Sequence, residues 1–206
     1  MRQFTFHSSA LTTRRLDLFP SDIEVKSEPM LFNCSHEAAL DLGGPLTRAW
    51  LNALAWAPDI VDMPGWYPCV PGWHHDDVTR TRPDGQPNYD VPQAAEHAMT
   101  ILGSADCATE FAFGRADFPE VRPGRVVYGD WHPLVEQHIQ AGRLRREPVD
   151  VGTIVYFDAY TWHRGVPCVR GGWRWFARAS RRTMRTPTNE VRAQVQVYLP
   201  AVDAGW

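Results

Sequence analysis

Several kinds of scaffold are excluded by what the sequence has little of. Its four cysteines, Cys34, Cys69, Cys107 and Cys168, lie far apart with no CxxC pair, so neither a disulfide framework nor a cysteine zinc site is indicated. No run approaches the roughly 20 apolar residues that a membrane-crossing helix needs. The opening stretch MRQFTFHSSALTTRR lacks the continuous apolar segment of a secretory leader, and the expectation is a soluble, cytoplasmic protein with reduced thiols. Positive charge is not in excess: the formal net charge is -3. That argues against a nucleic-acid binder relying on bulk electrostatics and makes a small molecule the expected partner. There is no internal repeat or low-complexity tract, and the 17 prolines and 15 glycines are scattered as turn punctuation instead of gathering into a linker. A chain of 206 residues is then expected to form a single domain over 1–206, long enough to bury a core unaided.

The first 60 residues differ from the rest. SHEAALDLGGPLTRAWLNALAW has apolar residues at helical spacing, Ser35 as a cap and a Gly43-Gly44-Pro45 break that restarts the helix, so 1–60 is expected as a helical layer. Beyond it come short segments rich in strand-forming types: AMTIL (98–102), TEFAF (109–113), RVVY (125–128), TIVYF (153–157), WRWFARAS (173–180) and AQVQVYL (193–199). One helix interrupts them, starting at Asp130 or Trp131 with Pro133 in its first turn and ending at Gly142. The expected class is mainly β with helices, a sandwich or barrel over 61–206.

GWHHDDV, residues 72–78, crowds four ligand-type side chains together. On a strand His74 and Asp76 point one way and His75 and Asp77 the other, and either pair suits a borderline divalent ion such as iron, manganese or zinc. Two ligands hold an ion poorly, so a third is expected elsewhere. GTIVYFDAYTWHRGVPCVRGGWRWFARAS, 152–180, supplies it in His163, after an apolar strand and a turn at Asp158-Ala159. Two histidines and one carboxylate on one face of iron(II) leave the opposite positions open for a bidentate ligand and dioxygen. On the following strand Arg174, Phe176, Arg178 and Ser180 share a face. Inward guanidiniums need anions to meet them, and a forked guanidinium suits the far carboxylate of a dicarboxylate chelator.

The HxD of PGWHHDDV, a distal histidine after GTIVYFDAYTW and a downstream arginine together resemble the iron(II)/2-oxoglutarate-dependent dioxygenase superfamily, over roughly residues 68–182. WHHD is similar to the tryptophan-histidine-x-aspartate of phytanoyl-CoA hydroxylase-like members. The resemblance implies a double-stranded β-helix (jelly roll), catalytic iron ligands His74, Asp76 and His163, and Fe(II) and 2-oxoglutarate as cofactors. It also implies Arg174, eleven residues after His163, at the distal carboxylate. Arg178 with Ser180 resembles the R-x-S pair that other members use for the same task; Arg178 is left for the cosubstrate's other end or for an anionic group of the prime substrate. The implied reaction uses dioxygen to hydroxylate an unactivated carbon of a small metabolite or natural-product intermediate, with succinate and carbon dioxide as coproducts. Asp76 counts against halogenation, which needs a small residue there.

Other residues receive plainer expectations. Trp73, Tyr89, Trp131, Tyr160 and Trp162 are expected mostly in the core, the loop 81–90 is a candidate lid, and Glu110 is a charge on an apolar strand that reaches a pocket. His7, His36, His97, His132 and His138 are read as structural, and RLRRE (143–147) and RRTMR (181–185) as solvated faces. Two other functions fit the same ligands: a cupin-like zinc or manganese hydrolase or isomerase, and a non-catalytic small-molecule-binding barrel.

Overall fold

Period-two alternation builds the framework. The computed structural model describes residues 2–9, 11–16, 30–62, 72–103, 108–167 and 174–192. In β6 (Thr109–Pro119), Phe111 and Phe113 pack to one side while Ala112, Ala116 and Phe118 pack to the other. β1 (Gln3–Ser8) pairs with the C-terminal part of this strand. β7 (Leu144–Pro148) and β9 (Trp162–Gly165) pair with its N-terminal part, all antiparallel. A second antiparallel sheet runs in the order β2 (Thr12–Arg15), β8 (Thr153–Asp158), β5 (Glu96–Gly103), β10 (Arg174–Arg181), β4 (Ile60–Asp62). β3 (Met30–Phe32) and β11 (Glu190–Arg192) form a separate pair.

The two main sheets face each other across an apolar layer. Phe111 and Phe113 of one sheet meet Met99, Ile101, Val155, Phe157 and Phe176 of the other, with Phe111 and Phe157 edge to face at 5.2 Å. The outer faces are covered by helices. α1 (His36–Leu42) and α2 (Pro45–Ala53) set Ala39, Leu46 and Trp50 on Ala98, Ile154, Trp175 and Ala177. α3 (Val127–Gln140) sets Val127, Trp131 and Val135 on Phe6, Phe118 and Trp162. Each such aromatic removes roughly 150–250 Å² from water, on the order of 4–6 kcal/mol at ~25 cal/mol per Å², before ordering entropy. Trp50 keeps its polar end satisfied by donating from Nε1 to Thr100 Oγ1 at 3.0 Å. The architecture is therefore mainly β with a few helices, and the described sheets do not close into a barrel.

The N-terminal expectation needs correction. Ser35 does cap α1, accepting from Ala38 N at 3.2 Å. Gly43 does separate the helices: a Cβ there would lie 2.3 Å from the Ala39 carbonyl oxygen. The first 60 residues are not only a helical layer, however, because β1 and β2 join the two main sheets. The alternation of Phe4, Phe6 and Ser8 with Gln3, Thr5 and His7 carries that strand signal. The strand expected at 125–128 is also absent: Val127 and Tyr128 open α3, three residues before the expected start. The cap that fixes this start comes from a distant loop, Gln86 Oε1 accepting from Val127 N at 3.1 Å, and Pro133 consequently lies inside the helix instead of in its first turn. The segments 98–102, 109–113, 153–157 and, over its described residues, 173–180 are strands as expected. The segment 193–199 and Cys69, Cys107 and Cys168 lie outside the described residues. Among the described residues no helix is long and apolar enough to cross a membrane.

Candidate metal centre

β9 alternates in the same way as β6. Trp162 lies opposite Ala112 and packs under α3, whereas His163 lies opposite Phe111 and enters the layer between the sheets. The segment holding His74 docks on the other edge of β9 through a reciprocal pair, His74 N to His163 O at 3.1 Å and His163 N to His74 O at 3.2 Å. Directly paired residues project to one side of a ladder, so the two imidazoles come together, ring centroids 4.4 Å apart. Trp73, on the opposite side, is held by α3: its N–H donates to His132 Nδ1 at 3.0 Å and its Nε1 to Glu136 at 2.8 Å. Arg164 lies over the Trp73 ring at 4.6 Å and bonds Glu136 at 2.5 Å, so one helix clamps both ligand-bearing segments.

Each imidazole is oriented by its own backbone. His74 Nδ1 lies 2.7 Å from the Gly72 carbonyl and His163 Nδ1 lies 2.9 Å from the Thr161 carbonyl. A carbonyl only accepts, so both Nδ1 atoms carry hydrogen and both Nε2 atoms present lone pairs. Those lone pairs face the Asp76 carboxylate: His163 Nε2 is 3.1 Å from Oδ2 and His74 Nε2 is 3.7 Å from Oδ1. Electron-pair donors converging in a buried place repel one another unless a cation lies between them. One ligand atom from each of His74, Asp76 and His163 lies within 4.8 Å of the others, a set suited to a borderline divalent ion.

A proton is a poor substitute for that cation. Burial pushes the His74 pKa down to about 4. Burial works to raise the Asp76 pKa, but the Arg178 guanidinium outweighs it and holds this carboxyl well below the usual range. His74 is thus a neutral imidazole and Asp76 an ionised carboxylate at neutral pH, the protonation states a metal requires.

The structure separates the other half of HHDD. His75 turns to the aromatic side, its ring 3.7 Å from Trp162 and its Nδ1 2.8 Å from the Tyr89 hydroxyl. Asp77 does not join it, because the chain turns there through a left-handed residue, φ 52°. Its carboxylate lies 2.7 Å from Arg185 Nε, so the expected opposite-face pairing of His75 with Asp77 does not occur. Burial raises the Asp77 pKa.

On β10 Arg178 bridges two aspartates, donating NH1 to Asp76 Oδ2 and NH2 to Asp62 Oδ2, the latter at 2.7 Å. Arg185 reaches the same Asp62 oxygen at 2.8 Å. The anions that meet Arg178 are therefore the chain's own. Ser180 is 2.9 Å from His97 Nδ1, and Arg174 is buried over the Phe176 ring at 5.1 Å. His97 is fully buried opposite Phe157, whose ring is 5.2 Å from that of His163.

Several plainer expectations meet the structure here. Trp73, Tyr89, Trp131, Tyr160 and Trp162 belong to the core under α3. The loop 81–90 is pinned by Gln86, by Asn88 to Thr81 and by Tyr89 to Tyr128. Glu110 meets Arg164 at 2.9 Å, so its charge serves a salt bridge between strands. RRTMR is not simply solvated, since Arg181 and Arg182 pair with Glu96 and Arg185 enters the centre. Asp62 and Arg185 are the residues that sequence reasoning missed, whereas His97, read as structural, is buried and bonded to Ser180. A signal existed for Asp62, an acid ending the apolar run IVD. No family model, curated protein or solved structure matches the chain.

Proposed function

We propose that His74, Asp76 and His163 hold iron(II), and that the protein is a 2-oxoglutarate-dependent dioxygenase of double-stranded β-helix type that hydroxylates a small metabolite. The observation that carries this reading is the convergence of two Nε2 lone pairs and one ionised carboxylate, each imidazole fixed by a backbone carbonyl. A 2-His-1-carboxylate set leaves open positions on the metal, as oxygen-activating iron sites do. Two facing antiparallel sheets with the ligands between them are compatible with a jelly roll.

Charge supports an anionic chelator. Around the centre three carboxylates, Asp62, Asp76 and Asp77, meet two guanidiniums, Arg178 and Arg185. A divalent cation turns that single negative excess into a single positive one, which an anion then offsets. When bound, iron(II) with 2-oxoglutarate supplies the activation of dioxygen, with succinate and carbon dioxide as coproducts. The chain's own part is orientation and dryness. His74 and His163 are each oriented by a backbone carbonyl, Arg178 keeps Asp76 ionised, and Phe111 and Phe157 flank His163 at 5.6 and 5.2 Å and exclude water. In this reading Arg174 takes the far carboxylate of 2-oxoglutarate.

The test is anaerobic loading with iron(II) and 2-oxoglutarate. A weak visible charge-transfer band that disappears in His163→Ala, together with succinate release on exposure to oxygen, supports the proposal. Hydrolysis with zinc and no band with iron would replace it with a hydrolase.

A further inference from the structure

We propose that Asp62 is a positioning residue of the metal centre, acting through Arg178 to fix the Asp76 carboxylate where it faces His74 and His163. The inference rests on the metal-binding reading of His74, Asp76 and His163.

Asp62 touches none of the three ligands, yet it is the most constrained acid near them. It is 1% exposed and lies directly opposite Arg178 in the β4–β10 ladder. Its Oδ1 accepts from Asn33 N at 2.9 Å, and its Oδ2 takes both Arg178 and Arg185. Every side of this carboxylate that a donor reaches is therefore fixed by a different element of the fold. The Arg178 guanidinium is planar, and its two terminal nitrogens go to two different acids, NH2 to Asp62 and NH1 to Asp76 Oδ2. With one prong fixed, the plane of the fork determines where the other meets Asp76.

The consequence for coordination is specific. Arg178 holds Oδ2, which lies 3.1 Å from His163 Nε2, and Oδ1 lies 3.7 Å from His74 Nε2, so the position of this one guanidinium sets how both carboxylate oxygens meet the imidazoles. Stability alone is a weak reason for such an arrangement. Burying several charges costs several kcal/mol per ion, and apolar residues of similar volume often serve a core equally well. Orientation of a metal-binding carboxylate is a use that apolar residues cannot provide.

The experiment compares Asp62→Asn with Arg185→Gln in the full chain. Arg185 pairs with the same Asp62 oxygen and with Asp77, so its replacement removes two ion pairs beside the relay and leaves the Asp62–Arg178–Asp76 link itself. Cobalt(II) affinity is measured by calorimetry, the cobalt absorption spectrum is recorded, and urea midpoints of the metal-free proteins report stability. Both variants are expected to lose stability. D62N should bind cobalt ~10- to 100-fold more weakly with an altered spectrum, while R185Q stays within about threefold of wild type, at most ~0.7 kcal/mol. If D62N cannot be purified, Arg178→Lys keeps the charge and removes the fork, and the same weakening is expected there. Wild-type affinity and spectrum in D62N, or in R178K where that is the variant measured, overturns the positioning role and leaves the metal centre standing. Equal weakening in R185Q overturns it as well, by showing a general loss of structure. Absence of cobalt binding in the wild type overturns the centre itself.

Discussion

Asp76 Oδ2 lies 3.1 Å from His163 Nε2, although 87 residues separate the two in the chain. Both atoms carry lone pairs once the Thr161 carbonyl has claimed the hydrogen on Nδ1. A shared divalent cation turns that repulsion into attraction, and the gain appears only in the folded state. Metal at about 100 times its dissociation constant should therefore stabilise the protein by ~2.7 kcal/mol, raising the melting temperature by roughly 5–11 °C for a domain of this size. Calorimetric scans with manganese(II) or cobalt(II), before and after a chelator, check this. No shift in wild type, or the same shift in His163→Ala, would place the ion elsewhere.

The metal-free protein should weaken in acid well above the range in which carboxylates titrate. An unfolded histidine takes up its proton near 6.5, whereas burial holds folded His74 near 4 and His97 near 3. Between those values the unfolded chain binds more protons, so stability is present above 6.5 and is lost as pH falls. At pH 5 the loss is on the order of 2 kcal/mol for each of these two histidines. Asp76, held below its ordinary range, loses its contribution only at still lower pH. Urea midpoints at pH 7 and pH 5 test the sign, and equal midpoints would contradict it.

The Trp73 side chain bonds α3 through one polar atom, Nε1, beside the backbone link to His132. Replacing it with Phe keeps most of the ring packing but removes the bond from Nε1 to the charged Glu136. A bond to a charged partner contributes about 1.5–3 kcal/mol, so Trp73→Phe should lower the unfolding free energy by roughly that amount. Glu136 keeps Arg164, so a loss of more than ~4 kcal/mol would exceed what one such bond explains.

The parts of this architecture that local sequence determines were legible, and the parts set by distant partners were not. The strands around 109–113 and 153–157 and the cap at Ser35 follow from alternation and from one side chain's reach. The convergence of His74, Asp76 and His163 is legible for a related reason: His74 and Asp76 two residues apart, with His163 after an apolar strand, is a local pattern at each of two places. Helix α3 began earlier than expected because its cap, Gln86, lies 41 residues away. Asp77 departed from the alternation because one left-handed residue rotates everything after it. Asp62 and Arg185 look like an ordinary strand end and an ordinary basic run until the fold sets them 2.8 Å apart. Charge networks of this kind are properties of tertiary register, which no window of the sequence contains.

Arg174 and Arg178 should separate cleanly in binding experiments, because they occupy different places on one face of β10. Four residues of strand set them roughly 13 Å apart, and the nearer one, Arg178, is already committed to Asp62 and Asp76. If Arg174 takes the far carboxylate of 2-oxoglutarate, Arg174→Met removes a charge-assisted contact of about 1.5–3 kcal/mol. The cosubstrate's dissociation constant, measured on cobalt-loaded protein, should then rise ~10- to 150-fold while cobalt affinity stays unchanged. Arg178→Lys should show the reverse order, losing metal affinity first, because its guanidinium orients a ligand of the ion. Loss of 2-oxoglutarate binding in Arg178→Lys at unchanged metal affinity, with Arg174→Met behaving as wild type, would exchange the two assignments. It would also mean that Arg178 leaves Asp76 when the chelator arrives.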